Sequence, residues 1–260
     1  MKELIRNNLL WIYKWLFFFN EFKKGKFIFP QKLLVPNQYV GLGDIIFQQS
    51  LVRKYMDQGY RVLWPVEKHF VNDLNRAYPD ITFVNKSIVK IDYNAKHEIN
   101  KSGVKVLPLR WADVILNLPS NDCMKAKYSL YQQDWKTWKQ IAMWKRDKHQ
   151  ENELFNLLEL TQGKRFILVN QNYQSAFQSK AKLDIPKGIG IIEMKPIEGY
   201  SLFDWAKVIE HAAEIHTVST SLLYLLELLD LKQPIHLYPR ENDPQFEQVK
   251  FLFTKPYILH

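Results

Sequence analysis

The sequence predicts an α/β protein made of two doubly wound halves. Three observations carry this reading. Short apolar strands alternate with helical stretches over residues 30–120, and the same alternation restarts at residue 165. A segment without Gly or Pro, residues 121–160, separates the two series. Each series also holds a strand–loop–helix junction, the place where open α/β sheets bind ligands.

The first junction lies in KLLVPNQYVGLGDIIFQQSLVRKY, residues 32–55. Residues 32–35 form an apolar strand that ends at Pro36. Residues 45–56 form a helix, with Ile45, Ile46, Leu51, Val52 and Tyr55 available for a buried stripe. Gly41 and Gly43 in the loop allow positive φ and close approach by another molecule. Asp44 stands at the expected N-cap, where a carboxylate accepts backbone N–H bonds. Capping alone explains an acid in this position, and the Gly-x-Gly-Asp spacing is not specific by itself. Strands then follow at 61–67, 81–85, 104–109 and 112–116, with a helix at 68–77.

The totals set the class. With 260 residues, 47% hydrophobic and 24% charged, the chain has room for two units of a globular protein. One cysteine, Cys123, excludes an intramolecular disulfide and a cysteine metal cluster, and it fits a reducing, cytoplasmic compartment. The net charge of +9 favours anionic partners. No helix-turn-helix signature or zinc-finger spacing accompanies it, so nucleic acid ranks low.

Residues 1–26 form a separate apolar and basic helix. LLWIYKWLFFF, residues 9–19, is too short to span a bilayer and is not followed by a cleavage site. Trp11, Tyr13 and Trp15 beside lysines suit a helix lying on a membrane surface, and docking on the protein's own body or on a partner is the other reading. Residues 121–160 look helical throughout. There Tyr128, Tyr131, Trp135, Trp138 and Trp144 interleave with Lys125, Lys127, Lys136, Lys139, Lys145 and Arg146. A basic–aromatic helix binds nucleic acid, lipid or an anionic acceptor. Core packing with solvated lysines accounts for the same spacing.

The second series begins with a strand at 165–170, followed by Gln171 and Asn172 and a strand at 188–194. Ser201 and Asp204 have capping-box spacing ahead of a helix. A strand at 214–218 runs into Ser219, Thr220 and Ser221, then a helix at 222–231 and a strand at 234–240. Hydroxyls and free N–H groups at that helix start suit an anion; ordinary capping uses them too. The domains are therefore drawn at 1–26, 27–160 and 161–260.

Two stretches carry a family resemblance. They are KLLVPNQYVGLGDIIFQQSLVRKYMDQGYRVLWPVE and SLFDWAKVIEHAAEIHTVSTSLLYLLELLDLKQPIHLYPR. In their order and placement the chain resembles the heptosyltransferase-like glycosyltransferases of GT-B architecture, two Rossmann-like halves facing a cleft. That family commonly has Asp-Ser-Gly where this chain has Ser219-Thr220-Ser221. It has a histidine where Tyr224 stands here, and His216 precedes the loop instead.

The resemblance implies a glycosyltransferase that moves a sugar from a nucleotide-sugar donor to a glycan or lipid-linked acceptor, with inversion. It implies Asp44 as general base. It implies donor contacts from Gly43, Asn170, Gln171, Asn172, Lys195, Ser219, Thr220, Ser221 and Arg240, with Lys180 and Lys182 as further cations. Without Asp-x-Asp or a metal-like carboxylate/His spacing, no metal or cofactor is expected. His69, His97, His149, His211, His236 and His260 are scattered along the chain and read as structural or surface residues. Glu67 and Glu198 read as solvated strand-end acids. Two other classes remain: a non-catalytic nucleotide- or sugar-binding module, and a basic nucleic-acid-binding protein.

Overall fold

The computed structural model describes residues 32–89, 99–101, 104–110, 123–160, 163–171, 183–186, 188–239, 246 and 249–260. The first half contains β1 (Leu33–Asn37), α1 (Leu42–Phe47), α2 (Gln49–Asp57), β2 (Arg61–Val66), α3 (Val71–Ala77), β3 (Thr82–Asn85), β4 (Ile99–Lys101) and β5 (Val104–Pro108). Between the sheets run α4 (Cys123–Ser129), α5 (Trp138–Ile141) and α6 (Lys148–Leu157). The second half contains β6 (Phe166–Asn170), β7 (Gly190–Glu193), α7 (Ala206–His211), β8 (Glu214–Val218), α8 (Leu222–Leu228), β9 (Ile235–Tyr238) and β10 (Tyr257–Leu259).

The first sheet has the order β3-β2-β1-β5-β4, parallel except for the antiparallel β4–β5 pair. The second has the order β10-β9-β8-β6-β7 and is parallel throughout. These are two Rossmann-like halves. The order reverses between β1 and β5 in one half and between β6 and β8 in the other, which defines two switch points. β2 and β6 are almost wholly buried along their length, as helix-covered parallel strands require.

The predicted strands at 32–35, 61–67, 81–85, 104–109, 165–170, 188–194, 214–218 and 234–240 all form, with ends shifted by a few residues. The predicted N-terminal helix at 1–26 and the strand at 112–116 lie outside the described residues. The helix expected over 45–56 is two helices joined at Gln48. Among the described residues no helix is long and apolar enough to cross a membrane.

Residues 121–160 are not continuously helical. The chain turns after α4 through Gln132, whose φ of 53° lies in the left-handed region, and leaves α5 before α6 begins. Tertiary bonds replace helical ones: Lys145 N–H donates to the Ala77 carbonyl at 2.8 Å. Tyr128, Trp138 and Trp144 are buried, so this stretch offers its aromatics to the core. Phe47 meets Tyr128 at 4.8 Å and Trp138 at 5.6 Å between ring centres. Trp138 then meets Tyr224 of α8, and Trp144 meets Phe203. The aromatic wealth of the sequence thus forms a seam between the halves. Burial of such rings contributes most of the local stability.

Polar ties cross the same seam. The Arg76 guanidinium, on α3, donates to Asp204 Oδ2 at 2.5 Å and to Ser201 Oγ at 3.0 Å. Asp204 also closes the expected capping box, accepting from Ser201 N at 2.7 Å. Lys139 pairs with the buried Glu227, which also accepts from Tyr257 Oη at 2.8 Å. Because Asp204 is only 2% exposed, its loss leaves a cap open and takes from Arg76 its buried carboxylate partner. Asp204→Ala is expected to lower unfolding free energy by about 2–4 kcal/mol. Urea unfolding checks this, and a change below about 0.5 kcal/mol would remove the tie from the account of the seam.

Candidate functional site

A cleft of about 720 Å³ lies between the carboxyl ends of the two sheets. Gly41, Gly43 and Asp44 line it from the first half; Asn170, Lys195, Ser219, Thr220 and Ser221 line it from the second. Of the residues expected to contact a donor, Gln171 points elsewhere, donating to Glu193 at 2.9 Å. Asn172, Lys180, Lys182 and Arg240 lie outside the described residues.

Asp44 is not the N-cap. Gly41, with φ +78°, occupies that position and α1 begins at Leu42. Only glycine turns there without strain, so the helix starts earlier than the acid suggests. Asp44 is the third residue of α1 and makes no side-chain cap bond. Its Oδ1 instead accepts from Lys127 Nζ at 2.5 Å. Lys127 is 1% exposed, whereas the Asp44 side chain is 33% exposed toward the cleft. The buried cation therefore fixes one carboxylate oxygen from behind and leaves the carboxylate presented to solvent. A buried ammonium is costly to hold unless paired, so each partner stabilises the other. Lys127, expected as one of the cations of the basic–aromatic stretch, meets an acid 83 residues away in the chain, a partner that no local spacing shows.

Gly43 admits part of the protein itself. A Cβ there would lie 2.7 Å from Cδ2 of Tyr224, so the aromatic ring rests on the glycine backbone. The Tyr224 phenol is pushed well above its usual pKa, first by burial and then by the Asp44 carboxylate, and it stays neutral.

The second junction differs from its expected form. The Leu222 N–H donates to Thr220 Oγ1 at 3.4 Å, Leu223 N–H to Thr220 O at 3.1 Å and Tyr224 N–H to Ser221 O at 3.2 Å. The N–H groups at the head of α8 are therefore spent inside the turn. Hydroxyls remain as donors. Asn170 Nδ2 donates to Thr217 Oγ1 at 3.0 Å and Thr220 Oγ1 at 3.1 Å, so Thr220 can direct its own O–H outward and Asn170 keeps only its carbonyl for a ligand. Ser219 Oγ is buried without a partner beside the cleft. Lys195 supplies an exposed ammonium on the same lining.

Two further titratable residues line the cleft, one of them the His69 expected to be a structural or surface residue. His69 and Asp73 come from the α3 side. The Asp73 carboxyl is raised by burial above all, with Asp204 adding to the rise and Arg76 and His69 opposing it.

The histidines are not scattered in space. Glu214, His216 and His236 bring their side chains together on one face of β8 and β9, and His260 joins them. The readable signal was Glu-x-His on one strand with a histidine on the next, a period-two pattern across neighbours.

No family model and no curated protein matches the chain. Solved structures similar to it include E. coli ADP-heptose lipopolysaccharide heptosyltransferase II, at 11% identity and TM-score 0.48, covering 88% of this chain and 90% of that one. A family 9 glycosyltransferase from Veillonella parvula is similar at 8% identity and TM-score 0.47, covering 90% and 88%. The iron-containing dodecameric glycosyltransferase TibC of enterotoxigenic E. coli is similar at 11% identity and TM-score 0.48; the match spans 80% of this chain but 57% of TibC. The two-sheet architecture rests on this chain's own strand pairing.

Gly43→Ala is expected to push Tyr224 off α1 and to lower stability by about 1–3 kcal/mol, the usual cost of overpacking. Gly43→Ala/Tyr224→Leu should recover part of that loss. Melting temperatures of the single and double variants test the pair, and a single variant that melts with the native chain would show that the ring does not depend on the bare glycine.

Proposed function

We propose that this chain is a glycosyltransferase that transfers a sugar from a nucleotide-sugar to a hydroxyl of a glycan or lipid-linked acceptor. The observation that carries the proposal is the placement of Asp44 on one wall of the cleft, opposite Ser219, Thr220 and Ser221 on the other. A carboxylate facing a hydroxyl-lined pocket across two switch points suits group transfer between two bound substrates. The resemblance of both junction sequences to the heptosyltransferase-like enzymes agrees with it.

In this reading residues 27–160 hold the acceptor and residues 161–260 the donor. Asp44 accepts the proton of the acceptor hydroxyl as the oxygen attacks the anomeric carbon. The bond to the diphosphate breaks on the opposite face, which inverts the configuration. Lys127 keeps the base oriented through Oδ1 while its other oxygen works. The departing nucleoside diphosphate gains negative charge, and hydrogen bonds from the Ser219 and Thr220 hydroxyls and the charge of Lys195 offset it. With the helix N–H groups already satisfied, these side chains have more of that task than the family comparison implies. No step in this scheme calls for a metal at the cleft.

The test begins with melting shifts across a panel of nucleoside diphosphates and nucleotide-sugars, followed by turnover with the stabilising donor. Asp44→Asn should lower turnover by about 10²–10⁴-fold, the contribution of a positioned general base, and leave the nucleotide-induced shift intact. Full activity in Asp44→Asn would remove the assigned base. A shift without donor hydrolysis or transfer would identify a non-catalytic binding module. No shift with any nucleotide would end the donor-site reading.

A further inference from the structure

We propose that Glu214, His216 and His236 form a binding site for one divalent transition-metal ion, separate from the cleft and structural in role. The site lies on the second sheet. His216 and His236 are register partners on the parallel strands β8 and β9, and Glu214 precedes His216 by two residues, so all three project from one face. Glu214 begins β8, at the strand end opposite the one that opens on the cleft.

Two observations support a cation here. First, the donor spacing is right. Glu214 Oε2 lies 3.6 Å from His216 Nε2 and 4.0 Å from His236 Nε2, and one donor atom from each of the three residues lies within 4.8 Å of the others. Donors around a tetrahedral ion, each about 2.0–2.2 Å from it, stand roughly 3.4 Å apart, so a small contraction closes the site.

Second, the hydrogen bonds leave lone pairs facing inward. Tyr238 Oη donates to the Asp184 carbonyl at 3.1 Å, so His216 Nδ1, 3.1 Å from that hydroxyl, carries the proton and donates to it. His216 Nε2 is then a bare acceptor facing a carboxylate, and it is buried without a hydrogen-bond partner. The side chain is 1% exposed, so water does not relieve the two opposed acceptors. His236 has a matching layout: its Nδ1 lies 2.9 Å from His260 Nε2, and its Nε2 faces Glu214. A ligating histidine normally donates its other N–H to an outer partner, which fixes the tautomer. Tyr238 and His260 fill those outer places.

The two rings stack at 4.2 Å and 5°, so binding requires them to tilt toward a shared point.

Two imidazoles and one carboxylate match zinc, cobalt, nickel or iron(II), and do not match magnesium or calcium. The ion would join β8 to β9 and, through the His236–His260 bond, brace β10.

The experiment uses tag-free protein stripped with chelator and titrated with Co²⁺ and Zn²⁺. The expected result is one ion per chain, visible-range cobalt absorption of a nitrogen/oxygen site, and a melting temperature that rises as metal is added. Glu214→Gln and His236→Gln, both partly exposed positions, should keep the circular-dichroism spectrum and weaken binding at least tenfold. Asp44→Asn should bind metal like the native chain. No binding, or unchanged binding in both site variants, would overturn the proposal.

Discussion

The contact between Tyr224 and Gly43 sets the relation of the two halves. α8 belongs to the second sheet and α1 to the first, and they approach closely because one residue of α1 has no side chain. The Tyr224 ring fills that place and continues into Trp138, which continues into Phe47. These rings cannot slide without opening voids in a close-packed seam. The carboxyl ends of β1 and β8 therefore face each other at a fixed separation, and the residues that follow those strands share a cleft.

Charge is distributed across that cleft unequally. The first half supplies Asp44, held by a lysine that solvent does not reach. The second supplies neutral hydroxyls and an exposed Lys195. The arrangement separates a proton acceptor from groups that stabilise a departing anion. Ser201 lines the same space and accepts from Arg76, so the tie that closes the seam reaches the cleft wall through that residue. The group of Glu214, His216, His236 and His260 sits at the other end of the second sheet, where it acts on strand cohesion.

The sequence was most legible where local pattern and tertiary environment agree. Apolar runs of four to six residues marked the strands because buried parallel strands are apolar on both faces. Ser201 and Asp204 marked a helix start because the capping box is a local bond. It was least legible where a partner lay far along the chain. Asp44 read as a cap because its spacing from the helix fits one, and the true start depends on Gly41 taking a left-handed turn. The basic–aromatic stretch read as a possible exposed helix because spacing does not say what covers it. The hydroxyl loop promised free N–H groups, which the turn consumes through Thr220 and Ser221.

By itself the sequence determined the fold class, the two junctions and the residue types that stand in them, since strand periodicity, glycine freedom and capping act over a few residues. Only the tertiary structure decided that Lys127 holds Asp44, that Tyr224 rests on Gly43, and that His216 and His236 meet around Glu214. Each of these depends on groups brought together across tens of residues by burial of the aromatic seam and by strand register. Those terms are set by the packing of the whole chain rather than by any window of it.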